Sequence, residues 1–206
     1  MRNITRVMVF TISVLMPLGA AATVFDAPVK GSEVLVDTLG SIAEQVRATI
    51  PVAGAFEQQK HLSIMTNPLT SSGTFSLSAT GDFTWDVHQP YPVVYRQQEG
   101  MLTRDIDGAT EQVSAVNEPA LFGFFQFFSR VFDLDYQALA ELFEVYLEAD
   151  GSQWQLGLIP QDSRLKRAIS QLTIEGEEGR IRRVNLMEPG GDFTRIHFSY
   201  TGQTLP

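Results

Sequence analysis

The sequence predicts a mainly β protein of the α+β class, built from a long antiparallel sheet, one flanking helix and a Phe-rich helical insert. Three observations predict this fold. Apolar residues recur at every second position through much of the chain after residue 51, as in strands that bury one face. One amphipathic stripe with helical spacing precedes these strands, and one Phe-rich segment with helical spacing interrupts them.

The first 22 residues have the features of a secretory signal peptide. Arg2 and Arg6 precede an apolar run over 7–18, and the small residues of 19–22 come next. A positive start, an apolar core and an A-x-A site are typical of such peptides, whereas a membrane-spanning helix needs about 20 apolar residues. We predict cleavage between Ala22 and Thr23 and a soluble, exported product. The alternative is a poor membrane anchor or a buried helix.

Composition limits what the remaining chain does. Removal of residues 1–22 leaves 184 of the 206 residues, enough for one domain over 23–206 with a sizeable core. The leader holds two Arg and no acid, so its loss changes the net charge from −9 to −11. This charge argues against nucleic acid and against electrostatic docking on an anionic membrane. The absence of Cys rules out lipidation at a Cys and favours a bacterial envelope compartment over a disulfide-rich secreted setting.

One amphipathic helix is predicted before the sheet. Ser32 is its N-cap candidate and Pro51 lies just past its end. Residues spaced i, i+4, i+7 and i+11 form one apolar stripe along this helix: Leu35, Leu39, Ile42 and Val46.

The strands are predicted from alternation and from turn signals between the alternating runs. Phe75, Leu77 and Ala79 form one apolar series, and Phe83, Trp85 and Val87 form the next. Turns are indicated at 67–68, 80–82, 89–90 and 99–100. Further strands are predicted over 93–98, 101–106, 111–116, 154–159, 168–175, 181–188 and 194–200.

Residues 118–148 break the strand pattern with Leu and Phe at helical spacings. The segment holds seven of the thirteen Phe that come after the leader: Phe122, Phe124, Phe125, Phe127, Phe128, Phe132 and Phe143. Its first half has no clean polar face, so a helix there must be covered on every side. We predict two short helices, separated at 133–135.

Motifs that carry chemistry are scarce. The chain has no G-x-S-x-G elbow, no H-E-x-x-H helix and no phosphate-binding glycine loop. His61, His88 and His197 lie far apart in sequence, which favours separate surface histidines over a metal site. The acidic runs at 133–135 and 175–178 have the composition of solvated turns. We therefore expect no catalytic residues, no metal and no cofactor.

An apolar surplus stands out instead. One face of the predicted sheet carries five large side chains, Phe75, Leu77, Phe83, Trp85 and Tyr95, and the insert carries the Phe cluster. In the first interpretation these groups pack on one another as an ordinary core. In the second, the sheet curves, the insert covers its mouth, and the aromatics line a cavity for a long apolar ligand.

An ordered series of motifs resembles the LolA family of periplasmic lipoprotein carriers. The motifs are F-E-Q at 56–58, S-G-T-F-S-L at 72–77, F-T-W at 83–85, Q-P at 89–90, W-Q-L-G-L-I-P at 154–160 and D-F-T-R-I-H-F at 192–198. Each motif is short, but their order is kept over nearly all of the chain after the leader. The resemblance implies an incomplete antiparallel β-barrel with an N-terminal amphipathic helix and an apolar cavity closed by a Phe-rich helical lid.

The resemblance also implies a function and partners. Such carriers shield the acyl chains of lipoproteins, receive them from an inner-membrane ABC-type exporter and pass them to an outer-membrane receptor. We expect a monomer that binds acylated lipoprotein or another lipid-like cargo and no nucleic acid. Phe75, Leu77, Phe83, Trp85 and Tyr95 would then line the cavity, and the lid would contribute Phe122, Phe125, Phe128 and Phe132.

One position departs from the family pattern. Six residues before Trp85, where well-known carriers have an arginine that ties the sheet to the lid, this chain has Ala79. Either the lid is held differently, or the chain serves another amphiphile, such as a dedicated lipid or pigment. A different class of function, a lipid-sensing regulatory module of the cell envelope with the same half-barrel, is the alternative hypothesis.

Overall fold

A computed structural model describes residues 23–132, 134, 136–163 and 165–200, so the predicted signal peptide lies outside the described residues. Eleven strands and three α-helices account for most of this region. The helices are α1 (Glu33–Arg47), α2 (Pro119–Val131) and α3 (Tyr136–Leu142). The strands are β1 (Val52–His61), β2 (Leu69–Leu77), β3 (Phe83–Gln89), β4 (Val93–Gln98), β5 (Met101–Ile106), β6 (Ala109–Val113), β7 (Phe143–Asp150), β8 (Gln153–Pro160), β9 (Gln171–Glu177), β10 (Arg180–Met187) and β11 (Phe193–Tyr200).

All eleven strands form one antiparallel sheet in the order β6-β5-β4-β3-β2-β1-β11-β10-β9-β8-β7. Strands β6 and β7 are the two edges, so the sheet is an open half-barrel and the predicted fold class is confirmed. We call the face that the helices cover the inner face. Register aligns side chains across it: Leu77 faces Phe83, which faces Gln97, and the row ends at Leu102 and Val113 on β5 and β6.

Helix α1 forms as its sequence pattern predicts. The Ser32 hydroxyl accepts a hydrogen bond from the Leu35 amide at 3.3 Å, which satisfies one of the free N–H groups of the first turn. The apolar stripe is buried at Leu39, Ile42 and Val46. It packs on the β7–β11 half of the sheet, where α1 contacts β7 and β10.

The predicted helical segment 118–148 is too long at its C-terminal end. Helix α3 ends at Leu142, and the next residue begins strand β7, which pairs with β8 from Phe143 to Asp150. Phe143, Val145 and Leu147 are buried at every second position, a strand pattern that the Leu and Phe content of the segment concealed. Leu134 lies between the two helices as predicted.

Ala79 is a second correction. The alternation Phe75-Leu77-Ala79 predicts a strand position, but β2 ends at Leu77 and Ala79 is exposed in the turn before β3. The Ser78 amide donates to the carbonyl oxygen of Asp82 at 2.9 Å and closes this turn. Ala79 therefore lies outside the apolar face.

Two glycines allow close approaches within the sheet. A Cβ atom on Gly73 of β2 would collide with the backbone carbonyl of Asp86, and one on Gly176 of β9 would collide with the ring of Trp154. Gly73 therefore lets the backbone of β3 come close to β2, and Gly176 makes room for an aromatic ring.

Candidate functional site

The candidate site is the inner face of the β1–β6 half of the sheet. Phe75, Leu77, Phe83 and Trp85 are all buried there, at most 3% exposed, and Tyr95 is partly buried. Cross-strand pairing brings them together, because Phe75 faces Trp85 and Trp85 faces Tyr95. The structure thus places all five predicted cavity residues on one continuous apolar surface.

Two further aromatic residues belong to this surface. The Phe56 ring stacks on the Trp85 ring with centroids 3.6 Å apart, and the Phe198 ring lies edge-on to Phe75 at 5.1 Å. Sequence reasoning used these residues only as motif positions. The sequence places Phe56 and Glu57 on opposite faces of a strand, but the neighbours of β1 and β11 become known only from the sheet order.

Helix α2 covers this surface through its aromatic side chains. The Phe83 ring lies near Phe125 at 6.1 Å and Phe128 at 6.4 Å from this helix, and near Phe132, the residue after it, at 6.5 Å between centroids. These three side chains are at most 2% exposed. Tyr95 contacts Phe125 at 5.0 Å, so β4 also touches the helix.

Two other aromatic residues of α2, Phe122 and Phe124, are less buried. Phe122 is packed against the core but only partly buried. Phe124, which was not among the predicted lid residues, lies 4.5 Å from Phe128 and edge-on to Trp85 at 6.1 Å. Together with Phe125, Phe128 and Phe132 it forms the apolar side of the lid.

The buried part of the site is apolar, and the charged Arg104, which faces Tyr95 across β4 and β5, is only partly buried. Among the described residues, Gln97 is the one polar side chain classed as buried, and the rest of the interior is aliphatic or aromatic. Such a surface offers dispersion and the release of water, which suit an alkyl chain and give no directional recognition. The aromatic rings of the lid cover the surface on which an alkyl chain would lie.

A polar connection joins the sheet to the start of the lid. Arg104 on β5 donates to the Glu118 carboxylate at 3.0 Å, one residue before α2 begins, and its Nε donates to Glu111 on β6 at 2.8 Å. The pKa of the Arg104 guanidinium is raised above its ordinary value, mainly by the hydrogen bonds to Glu111 and further by the one to Glu118. Arg104 thus links the sheet to the residue that precedes α2, a link of the kind that Ala79 does not make.

The opposite border of the site is marked by Tyr200. Its ring lies edge-on to Phe75 at 5.7 Å, and its hydroxyl donates to the backbone carbonyl of Ile181. The guanidinium carbons of Arg180 and Arg182 lie 5.3 and 5.9 Å from the ring centroid. Burial is the main reason that the pKa of Tyr200 is raised above its ordinary value.

The three histidines lie on the outer face of the sheet and remain separate. His61 stacks on Phe193 at 4.1 Å, His88 lies 3.5 Å from an Asp86 oxygen, and Arg183 donates to His197 at 3.4 Å. Burial, then Arg183 and Arg195, lower the pKa of His197. Within the described ranges, no three His, Asp or Glu side chains are grouped so that they could hold a metal ion.

The architecture defines a class: an open half-barrel whose apolar inner face lies under helices. A family model described as "Outer membrane lipoprotein carrier protein LolA-like" matches residues 31–202. The match covers most of the chain, so the protein belongs to this LolA-like family, and the resemblance read from the motifs is confirmed. Members of the family are carriers or binding proteins rather than enzymes. No curated protein matches the sequence.

Solved structures of similar fold have little sequence in common with this chain. Lipoprotein LppX of Mycobacterium tuberculosis is 11% identical, covers 85% of this chain and 100% of its own, and has a TM-score of 0.48. A LolA superfamily protein of Nitrosomonas europaea is 8% identical over 82% and 94% of the two chains, with a TM-score of 0.41. MucB in complex with MucA(peri) is 12% identical over 83% of this chain but only 57% of that one, with a TM-score of 0.40.

No α-helix within residues 23–132, 134, 136–163 and 165–200 is long and apolar enough to cross a membrane.

Proposed function

We propose that the protein is a periplasmic carrier that shields the acyl chains of lipoproteins, or of a related amphiphile, between the inner and the outer membrane. The observation that carries this proposal is the covering of Phe83 and Trp85 by Phe125, Phe128 and Phe132 of the lid. An apolar surface that is covered by side chains of a separate helix can exchange those side chains for an acyl chain without exposing itself to water.

The energetics favour such an exchange. Burial of one Phe contributes about 1.5–3 kcal/mol, so displacement of three costs roughly 5–9 kcal/mol. An acyl chain of about sixteen carbons contributes roughly 12 kcal/mol at about 0.8 kcal/mol per methylene. The ligand can therefore open the lid, and the lid can close again when the ligand leaves.

Export supports the same function. Cleavage between Ala22 and Thr23 would turn the Thr23 nitrogen into a terminal ammonium group. In the structure this nitrogen donates to the Asp26 carboxylate at 2.8 Å, a partner that suits a positive charge. N-terminal sequencing of the protein recovered from the periplasm tests the site, and an intact Met1 form in the inner membrane would contradict export.

The decisive binding experiment places a charge on the inner face. Phe83→Glu should abolish binding of a fluorescent fatty acid, because an unpaired carboxylate is strongly disfavoured in an apolar interior. Thr84→Glu is the matched control: the next residue faces outward opposite Arg96, and this variant should bind normally. Normal binding by a folded Phe83→Glu protein would contradict the proposal.

A second variant, on the lid, covers the case in which the buried charge of Phe83→Glu unfolds the protein. Phe125→Ala with Phe128→Ala removes two competing rings and leaves the sheet intact. Binding of the fatty acid should tighten or stay constant, whereas loss of binding from a folded protein would mean that α2 is part of the core and not a lid.

An exporter and an outer-membrane receptor are the partners that this function requires. The alternative, a regulatory module that senses lipid, uses the same binding surface but keeps its ligand and passes a signal to another protein. Transfer of a bound acylated peptide to an outer-membrane fraction separates the two. Retention of the peptide after addition of that fraction would favour the sensor.

A further inference from the structure

The sheet order places three hairpin turns side by side at one end of the half-barrel. Residues 62–68 join β1 to β2, residues 90–92 join β3 to β4, and residues 107–108 join β5 to β6. These strands are consecutive in the sheet, so their turns succeed one another along one rim. We call this the hairpin rim.

Large apolar side chains are exposed along the hairpin rim. Ile64 at its first turn is 91% exposed, and Tyr91 at its second is 80% exposed. Three others are about half exposed: Met65, Leu69 and Ile106. Met101 is also half exposed, but it lies at the opposite end of the strands, just after the turn that joins β4 to β5.

The first turn is held in place by polar groups while its apolar tip projects. The Asp192 carboxylate accepts a hydrogen bond from the Ser63 amide at 2.7 Å, and the Met65 amide donates to the Leu62 carbonyl at 2.9 Å. An ion pair between Lys60 and Glu188 ties the end of β1 to the neighbouring β10–β11 turn. Ile64 is therefore presented on an ordered turn and does not fold back onto the protein.

Two of the three turns of the rim lack charge. Residues 62–72 and 89–95 contain no Asp, Glu, Lys, Arg or His, although the whole chain carries a net charge of −9. Asp107 lies in the third turn and Asp105 just before it, so this turn is acidic and has no basic residue to attract anionic lipid. Separate projecting tips also differ from a stable protein interface, which buries about 800 Å² of continuous surface on each partner.

We propose that the hairpin rim docks the protein on the surface of a lipid bilayer, with Ile64 and Tyr91 inserted among neutral or zwitterionic headgroups. Ile64 supplies the apolar area, and the Tyr91 ring is suited to the boundary between headgroup and acyl layers because it has one apolar and one polar end. Docking is apolar, so neither anionic lipid nor low salt should be needed. The rim belongs to a different part of the protein from the lid, and its docking goes beyond the binding of cargo.

The test is flotation of the protein, purified from the cell envelope, with protein-free vesicles of phosphatidylcholine. We expect it to float, with little change when phosphatidylglycerol is added or the salt is raised. Ile64→Ser should weaken the partition about tenfold, and adding Tyr91→Ser should abolish it, as expected for loss of one and then two inserted side chains. Met101→Ser is the matched control, because it removes a half-exposed apolar side chain at the other end and should float normally.

Three results would overturn the docking proposal: no flotation of the unaltered protein, equal flotation of the double variant, or flotation only with anionic lipid at low salt. Binding to native outer membranes but not to protein-free vesicles would also overturn it, since the rim would then recognise a protein. Fatty-acid binding in solution, measured on the same variants, keeps this proposal separate from the carrier function. If flotation depends on Ile64 but the protein binds no fatty acid, the docking proposal stands and the carrier proposal fails.

Discussion

The two halves of the inner face differ in composition and in what covers them. On β1–β6 half of the buried apolar side chains are aromatic, namely Phe56, Phe75, Phe83 and Trp85, and the rings of α2 lie against them. On β7–β11 they are mainly aliphatic: Ile196, Val184, Ile174, Leu156 and Leu147 form one row across five strands, under α1. We propose that one half of the sheet holds a fixed core and that the other half holds a contact that cargo can displace.

The physical difference lies in the reach of the side chains. Aliphatic groups must interlock with the helix above them, and α1 is close enough for its backbone to approach β7 and β10. Helix α2 meets Phe83 and Tyr95 through ring-to-ring contacts of 5.0–6.4 Å between centroids, and on our proposal these contacts separate when cargo binds. This difference predicts that substitutions in the aliphatic half lower stability, whereas substitutions in the aromatic half alter binding.

The largest expected effect is on the aliphatic half. Leu156→Ala removes a fully buried side chain between Leu147 and Ile174 and should lower the free energy of unfolding by about 2–5 kcal/mol. Denaturant unfolding measures the loss, and fatty-acid affinity per folded molecule should not change. A loss of affinity as large as that for Phe83→Glu would remove the distinction between the halves.

The second prediction compares the two covers directly. Amides of α2 should exchange with solvent at least about tenfold faster than those of β3, because lid opening needs less free energy than unfolding of the sheet. Hydrogen exchange on the empty protein decides it, with α1 as the reference helix. Equal protection of α2 and the strand that holds Trp85 would make α2 a permanent core element.

The third prediction concerns the polar link between β5 and the lid. Arg104→Gln loses the ion pair with Glu118 and should speed exchange in α2 by roughly three- to tenfold, the range expected for a partly exposed charged contact. Exchange in α1 should not change. The control is Arg96→Gln, which replaces an exposed arginine on the adjacent strand. If both variants speed the amide exchange of α2 equally, Arg104 has no specific role in closing the lid.

The smallest expected effect lies on the outer face at the seam between the halves. The pKa of His197 is lowered in the folded state, so the unfolded state binds more protons once the pH falls below about 6.5. Stability should therefore decrease as the pH drops from there, and His197→Gln should flatten that part of the profile. His88→Gln is the control, and an unchanged profile in the His197 variant would show that other groups govern the acid side.

Local sequence patterns predicted much of this molecule. The stripe of α1 and its Ser32 cap, the alternating series around Phe75 and Trp85, and the order of the family motifs each depend on residues close together in the chain. Periodicity also assigned the five cavity candidates to one face, because the side-chain period of a strand fixes the face once its phase is known.

Tertiary structure decided the rest. The segment from Phe143 becomes a strand although its composition resembles the preceding helices, since pairing with the next strand, β8, outweighs local helix propensity. Phe56 and Phe198 join the aromatic surface only because β1 and β11 are neighbours in the sheet. Arg104 and Glu118 meet only because the chain returns to β5 at the start of α2, a contact that no local pattern encodes.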